Sequence, residues 1–185
     1  RTTIIFLANL ATKNTLFHSV ESYLRFLLKS TNQYGVHSPF VYDLLTVGLK
    51  KKVTDEDKIS LDKVRKTLRG NTSNIEVQDF GAGSRVFKSA QREVSQITKT
   101  AGISRARAKK LYKVVKHFNP GSILELGTSL GMATSAMSLA APRAKIDTLE
   151  GCPETARVAQ TMFNSFEMDN IELHIGEFDS TLPDS

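Results

Sequence analysis

The sequence predicts an α/β fold in which a short parallel sheet follows a mainly helical, basic region. Two observations lead to this fold class. After residue 119, short apolar strands alternate with helical segments, a pattern typical of parallel strands joined by right-handed crossovers. Before that residue, apolar side chains recur at helical spacing. The length of 185 residues allows one domain with a real core and an appendage, but not two full domains.

The part of the chain before residue 119 contains five segments with helical periodicity. They cover residues 16–29, 39–49, 59–70, about 87–100 and 104–118. The run "KKKVTDEDK" before the third segment is interpreted as a charged connector. Gly70 is expected to end the third helix in the left-handed conformation that glycine tolerates.

The part after residue 119 is predicted to run strand, helix, strand, helix, strand. "SILEL" is a continuous apolar strand of the kind that is buried on both faces. "MATSAMSLAA" is a helix ended by Pro142, and "PETARVAQTMFNSFEM" is a helix with proline in its first turn. "KIDTLE" and "NIELHIG" are the other two strands. We expect three parallel strands with helices between them.

Charge divides the chain at the same place. Residues 1–118 carry 22 Lys and Arg against 9 Asp and Glu, a net charge of +13, whereas residues 119–185 carry 3 against 10, a net charge of −7. Such a division is typical of a contact with nucleic acid or another anionic surface, or of two parts that attract each other, and the sequence leaves these alternatives open. The domains are therefore predicted as a basic, helical cap region (1–118) and an α/β half-domain (119–185).

Several classes of protein are disfavoured by composition. No apolar run approaches the roughly 18 residues that span a bilayer, so no membrane partner is expected. The single cysteine, Cys152, excludes an intrachain disulfide and fits a reducing compartment, so we expect a cytoplasmic protein. The four histidines are too scattered to predict a metal site.

Two glycine-bearing stretches compete as the ligand-binding loop of the α/β region. A nucleoside-type cofactor needs a buried strand, glycines that let the backbone approach the ligand, and a helix that starts there. "ILELGTSLGMAT" meets all three conditions, and Glu150 ends the next strand nineteen residues after Gly131, where it can accept the ribose hydroxyls. "VQDFGAGSRV" is followed by a basic helical segment with no acid at a second strand tip. The first stretch is therefore predicted to bind.

These residues resemble a known family. "ILELGTSLGMATSAMSLA", "IDTLEGCPETARVAQ" and "NIELHIGEF" are similar to the class I S-adenosylmethionine-dependent methyltransferases, nearest to the small-molecule O-methyltransferase branch. The spacing from Glu125 through Gly127 to Gly131 is wider than in the dinucleotide fingerprint, which argues against a nicotinamide enzyme. The resemblance implies a Rossmann-like methyltransferase sheet, truncated after its third strand, with a helical N-terminal cap.

The resemblance also implies roles for individual residues. The loop would hold the methionine part of S-adenosyl-L-methionine, Glu150 the ribose, and Glu125 would lie near the amino group. The positions assigned to the cofactor are Glu125, Gly127, Thr128, Ser129, Gly131, Glu150, Gly151, Cys152, Phe178 and Asp179, the last four beside the adenine. "YGVHSPFVYDL" and "DFGAGSR" resemble the N-terminal region of a group of bacterial methyltransferases of this type. There the substrate-facing positions would be Tyr34, His37, Ser84 and Arg85, with a satisfied cap histidine and a structural turn as the alternative.

The expected function is S-adenosylmethionine-dependent methyl transfer to a small molecule, most simply to an oxygen. An RNA or DNA methyltransferase that uses the basic region, and a non-catalytic binding module of the same fold, remain as alternatives. No catalytic base and no metal ligand is assigned. If "SILEL" lacks its usual neighbour, the strand edge is expected to destabilise the chain, to mediate self-association, or to be filled by "IEVQDF".

Overall fold

The computed structural model describes residues 18, 20–30, 35, 37–78 and 89–176. The chain divides into two compact units, residues 1–45 and residues 46–185, and each is described by itself. No described helix is both long and apolar enough to cross a membrane.

The described part of the first unit consists mainly of two helices. Helix α1 covers residues 20–29, and helix α2, Pro39–Thr46, begins at the first residue of the predicted segment 39–49. The rings of Tyr23 and Phe26 stack at 6.4 Å on α1, and Leu28 is 87% exposed. The helical periodicity of this region is confirmed for the described residues.

The second unit contains helices, a two-stranded hairpin and a three-stranded sheet. Its elements are a 3-10 turn Gly48–Lys50, α3 Asp55–Gly70, β1 Asn74–Glu76, β2 Gln91–Glu93, α4 Val94–Thr100, α5 Arg105–Phe118, β3 Ser122–Leu126, α6 Met132–Ala140, β4 Lys145–Glu150, α7 Pro153–Ser165 and β5 Ile171–Ile175. The order of strands, helices and turns after residue 119 is the predicted one.

The three-stranded sheet is parallel, with the order β3-β4-β5. Ile123 pairs with Ile146, and Ile146 pairs with Ile171, so the middle strand β4 is flanked on both sides. Helix α6 connects β3 to β4, and helix α7 connects β4 to β5. The α/β fold class and the short parallel sheet are confirmed.

Two apolar clusters hold the second unit together. One joins α5 and α6 to the sheet through Tyr112, Val115, Met137 and the fully buried Ile146. The other joins α3 and α4 to α7 and to the segment before α6, and its members include Val64, Leu68, Val94, Ile97, Leu130, Met132 and Phe163. Since each buried side chain of this size contributes about 1.5–3 kcal/mol, the second cluster firmly anchors the turn between β3 and α6.

Several expectations about helix ends are wrong. The predicted helix over 87–100 is shorter, because β2 occupies residues 91–93 and only α4 is helical among the described residues. Helix α3 begins within the supposed connector, because the hydroxyl of Thr54 accepts a hydrogen bond from the Asp57 amide (3.0 Å) and caps it. Gly70 is the last residue of α3 and the cap Asn71 has φ −83°, so no left-handed glycine ends this helix. The left-handed cap stands instead at Asn119, after α5.

The predictions about the edge of the sheet are corrected in two ways. β1, which contains the start of "IEVQDF", pairs antiparallel with β2 and does not fill the place beside β3. β3 is not buried on both faces, because Leu124 and Leu126 are 58% and 52% exposed. No described strand lies on the outer side of β3, and no described helix covers that face.

Candidate functional site

The turn between β3 and α6 has the backbone that the glycines of "ELGTSLG" allow. Gly127, Ser129 and Gly131 have φ of 93°, 51° and 75°. The amides of Gly127 and Thr128 both donate to the carbonyl of Leu149, at 2.9 and 3.0 Å, which fixes the turn to the end of β4. We call residues 127–131 the glycine loop. It lies at the carboxyl ends of the parallel strands, where ligands of open α/β sheets bind.

The two glycines of the loop have different surroundings. A methyl group at Gly131 would lie 2.6 Å from two ring carbons of the buried Phe163. A methyl group at Gly127 would meet no protein atom within 4 Å. Gly131 therefore permits close packing against α7, whereas Gly127 faces open space at the strand ends.

Glu150 connects the glycine loop to the turn after β4. Its Oε2 accepts a hydrogen bond from the Ser129 amide at 2.7 Å, and its Oε1 accepts one from the Cys152 amide at 3.0 Å. The carboxylate therefore lies at the tip of β4, beside the loop. Each oxygen retains a lone pair with which it can accept a further donor.

Glu125 lies on the neighbouring strand at the centre of a buried hydroxyl network. Its Oε2 accepts hydrogen bonds from Thr134 Oγ1 (2.5 Å) and Thr148 Oγ1 (2.8 Å), and the hydroxyls of Thr128 and Thr148 are 2.6 Å apart. Sequence reasoning did not find Thr134 and Thr148. A usable signal for Thr148 was present, since it stands two residues before Glu150 in the predicted strand "KIDTLE" and therefore shares its face of the sheet.

The environment of Glu125 perturbs its ionisation. Burial raises the pKa of the Glu125 carboxyl above its usual value, while the hydrogen bonds from Thr134 and Thr148 oppose that rise. The negative charge of Glu150 adds to the rise. A cationic ligand group beside Glu125 would compensate the buried charge.

The hairpin β1-β2 reaches the other end of this site. The buried thiol of Cys152 lies 3.6 Å from the Glu76 carbonyl, to which it donates, and accepts from the Gln78 amide at 3.5 Å. A cavity of about 410 Å³ opens beside this contact. It is lined by Asn74, Ile75, Glu76, Gln78, Gln91, Pro153 and Glu154. Polar side chains of the hairpin thus adjoin the turn at Gly151 and Cys152.

The second glycine stretch, "VQDFGAGSRV", begins directly after β1. β1 pairs antiparallel with β2, and the Val77 amide donates to the Ala90 carbonyl at 2.8 Å. β1 therefore does not belong to the parallel sheet that carries the glycine loop. Gly81 and Gly83 themselves lie outside the described residues.

The structure brings together part of the predicted site. Glu125, the glycine loop, Glu150, Gly151 and Cys152 all lie around the carboxyl ends of β3 and β4. Phe178, Asp179, Tyr34, Ser84 and Arg85 lie outside the described residues. His37 is exposed in the first unit, and its predicted substrate contact stays a prediction.

The opposite face of the sheet carries a separate charged cluster around His174. The sequence analysis treated the histidines as too scattered for a metal site, whereas His174 lies close to two carboxylates. His174 Nε2 lies 3.1 Å from Asp147 Oδ1 and 3.9 Å from Glu172 Oε1. These three residues could together offer ligand atoms to a metal ion. Lys145 already forms ion pairs with Asp147 (3.1 Å) and Glu172 (2.9 Å), so the cluster contains its own cation. The hydrogen bond from His174 lowers the pKa of Asp147.

Comparison with known proteins gives matches of structure alone. No protein-family model matches the chain, and no curated protein matches it. Cofactor-bound Rv0187 from MTB is 20% identical with a TM-score of 0.45, and the match covers 84% of this chain and 56% of that one. The O-methyltransferase from Bacillus cereus in complex with SAH is 17% identical with a TM-score of 0.43, covering 76% and 50%.

A third similar structure is the O-methyltransferase TomG from Streptomyces achromogenes, in complex with SAM. It is 18% identical with a TM-score of 0.44, and the match covers 83% of this chain and 56% of that one. The chain thus spans about half the length of the solved structures it matches. At TM-scores of 0.43–0.45 and identities of 17–20%, these similarities do not assign a function to the chain.

Proposed function

We propose that this chain binds S-adenosylmethionine at the glycine loop and forms the cofactor-binding part of a methyltransferase that acts on a small molecule, with oxygen as the favoured acceptor. The observation that carries the proposal is the pair of carboxylates on adjacent strand tips. Glu125 and Glu150 flank a loop whose residue Gly127 faces open space. A nucleoside with a cationic amino acid tail requires acceptors for both its ribose hydroxyls and its amino group.

The residues present fit this ligand. The lone pairs left on Glu150 can accept the ribose hydroxyls, and the buried Glu125 carboxylate can bind the ammonium group of the methionine part. The loop backbone at Gly127 leaves room for the tail. Gly151 and Cys152 would lie beside the adenine, and Phe178 and Asp179 remain proposed adenine contacts.

The chemistry expected at this site needs little from the protein beyond position. When bound, S-adenosylmethionine would supply its sulfonium-bound methyl group to an acceptor aligned with the C–S bond, with S-adenosylhomocysteine as the leaving group. The chain would orient the donor through Glu125, Glu150 and the glycine loop, because alignment of the reacting groups lowers the barrier to a displacement. No described side chain stands out as a base for the acceptor, and the acceptor itself stays a proposal.

The proposal is tested by titration calorimetry with S-adenosylhomocysteine. We expect the unmodified chain to bind it, and Glu150→Gln to weaken binding about 10- to 100-fold, since a hydrogen bond to a charged group contributes about 1.5–3 kcal/mol. Glu172→Gln is the matched control, because it makes the same chemical change on β5 at an exposed position on the opposite face. Glu76→Ala is a poorer control, since the Glu76 backbone contacts Cys152.

Two results would contradict the proposal. The first is a well-folded chain, with an unchanged melting curve, that binds neither S-adenosylhomocysteine nor S-adenosylmethionine. The second is equal affinity in the Glu150→Gln and Glu172→Gln variants, which would show that ligand binding does not depend on the carboxylate of Glu150.

A further inference from the structure

A groove on the second unit is lined almost entirely by cations. It has a volume of about 440 Å³ and lies along α3 and the start of α5. We call it the basic groove, and its lining residues are Lys58, Ile59, Asp62, Lys63, Arg65, Lys66, Arg69 and Arg105. Six of these side chains are cationic, and Asp62 is the sole carboxylate among them.

Local anions neutralise only part of the groove. Asp62 pairs with Arg105 at 2.9 Å, and Lys58 pairs with Asp55 at 2.7 Å. Lys63, Lys66 and Arg69 are exposed and form no ion pair with a carboxylate in the described part of the chain. At least three positive charges therefore face the groove without compensation.

Neighbouring positive charges also act on Arg65, the partly buried member of the set. The guanidinium of Arg65 donates to the carbonyl of Ile103, which fixes its position between α3 and α5. Burial lowers the pKa of Arg65, and the nearby charges of Arg105 and Arg69 lower it further. An anion bound in the groove would relieve this repulsion.

The cations are arranged as a row rather than a single cluster. From Lys58 to Arg69 the row covers three turns of α3, about 16 Å at 1.5 Å per residue. A single phosphate cannot contact cations over that length, whereas a chain of phosphates can. Guanidinium groups also match the geometry of phosphate oxygens.

We propose that the basic groove binds the sugar-phosphate backbone of a nucleic acid strand. A planar lipid surface cannot enter a concave groove, and Ile59 is the single apolar side chain in the lining, so a membrane is disfavoured. The lining contains no aromatic side chain on which bases could stack, so binding through phosphates is independent of sequence. The proposal does not depend on S-adenosylmethionine binding.

The basic groove adjoins the part of the second unit that carries the glycine loop. A small adjoining cavity shares Arg65 and Arg105 with the basic groove and is also lined by Met132. Met132 is the first residue of α6 and directly follows the glycine loop. A strand held in the groove would therefore pass beside the end of the unit that carries the glycine loop.

The test measures fluorescence anisotropy of a labelled single-stranded DNA of mixed sequence, 20 nucleotides long, over a range of salt concentrations. The test variant is the triple substitution Lys63→Gln, Lys66→Gln and Arg69→Gln. We expect affinity to fall at least tenfold at low salt, and the slope of log K against log salt to become shallower by about 2, since each phosphate contact on a single strand contributes about 0.7.

The matched control removes the same charge elsewhere. Lys51→Gln, Lys99→Gln and Lys116→Gln change three exposed lysines of the same unit that do not line the groove. This triple variant is expected to leave the salt slope within about 0.5 of that of the unmodified chain. Circular dichroism melting verifies that both triple variants remain folded, and a second oligonucleotide of different sequence should bind equally well.

Three outcomes would overturn the proposal. Equal losses of oligonucleotide affinity in the two triple variants would show that binding depends on the net charge of the chain and not on the basic groove. Groove-dependent binding to phosphatidylserine vesicles without binding to the oligonucleotide would indicate a membrane surface instead. Competition by polyglutamate as strong as that by unlabelled oligonucleotide would indicate an acidic polypeptide.

Discussion

Glu125 is the residue at which stability and the proposed function are opposed. Its carboxylate is half-buried and accepts hydrogen bonds from Thr134 and Thr148. Two hydroxyl donors satisfy one oxygen, but the pKa of Glu125 is still raised, so burial outweighs them. A buried acid of this kind is characteristic of sites that bind a cation, because an uncompensated charge otherwise destabilises the fold.

The pH dependence follows from the direction of this shift. The folded chain binds the Glu125 proton more tightly than the unfolded chain, whose carboxyl has the usual value of 4.5. The contribution of this group to stability is therefore full below pH 4.5 and is lost as the pH rises through the raised value.

We predict that Glu125→Gln stabilises the ligand-free chain at pH 7 and weakens S-adenosylhomocysteine binding about tenfold or more. Glutamine keeps an acceptor for the two threonines but carries no charge. The measurements are thermal melting between pH 4 and 8 and titration calorimetry, with Glu172→Gln as the exposed control. A variant that melts lower at pH 7 yet keeps its affinity would show that Glu125 serves structure alone.

At the scale of elements, one glycine of the glycine loop packs against α7, and the other faces the proposed ligand space. Gly131 caps α6 in a left-handed conformation, and a methyl group added there would clash with the ring of Phe163. Gly127 also has a left-handed backbone, but a methyl group added there would meet no atom within 4 Å. The same substitution should therefore have different consequences at the two ends of one five-residue loop.

We predict that Gly131→Ala lowers the free energy of unfolding by about 2–5 kcal/mol, from backbone strain and overpacking against Phe163. Gly127→Ala should cost only about 1–2 kcal/mol of strain. Its methyl group, however, would project into the proposed ligand space and reduce S-adenosylhomocysteine affinity more than tenfold. Urea denaturation and calorimetry measure both quantities. Gly121→Ala is the control, since Gly121 has no left-handed backbone and the methyl group that alanine would add there meets no atom within 4 Å. Full affinity in folded Gly127→Ala would place the ligand elsewhere.

The elements after residue 119 were predictable because apolar residues recur within each short strand and each helix has a clear start. Pro153 at the first turn of α7 and Glu150 at a strand tip are local signals of this kind. The hairpin was not predictable, since "NIE" and "QRE" are short and mostly polar, and their pairing joins residues far apart in the chain. Likewise, glycine at position 70 indicated a left-handed cap that the chain forms at Asn119 instead.

Only those parts of the candidate site that depend on local sequence patterns could be predicted. Glycines and strand-tip acids are visible in the sequence, so the positions of Glu125, the loop and Glu150 at the strand ends could be predicted, whereas their binding roles stay predictions. The contact between Cys152 and the hairpin depends on tertiary packing of residues 76 and 152, which no local pattern encodes. The exposed face of β3 was missed for a related reason. The apolar residues of a strand indicate which side chains favour burial, but they do not indicate whether another element covers them.

At the scale of the second unit as a whole, the described sheet is open on one side. β3 pairs with β4 on one edge, and Leu124 and Leu126 are exposed on the face away from α6. An apolar strand with an unpaired edge is a template for pairing with another chain. Within the described residues β1 does not occupy this edge, so the expectation that "IEVQDF" fills it is wrong, and self-association or lower stability remain.

We predict that the 185-residue chain self-associates through β3, and that Leu124→Lys suppresses this association. A lysine on an edge strand opposes edge-to-edge pairing, because association would desolvate its charge. Sedimentation velocity at several concentrations measures the association, and hydrogen exchange at Ile123–Leu126 should slow as concentration rises. Leu28→Lys is the matched control, since Leu28 is an exposed leucine on α1, outside the sheet. If Leu28→Lys gives monomers and Leu124→Lys does not, association runs through α1; a chain that stays monomeric at every concentration, with all amides of β3 protected, would show that the edge is already paired within the chain.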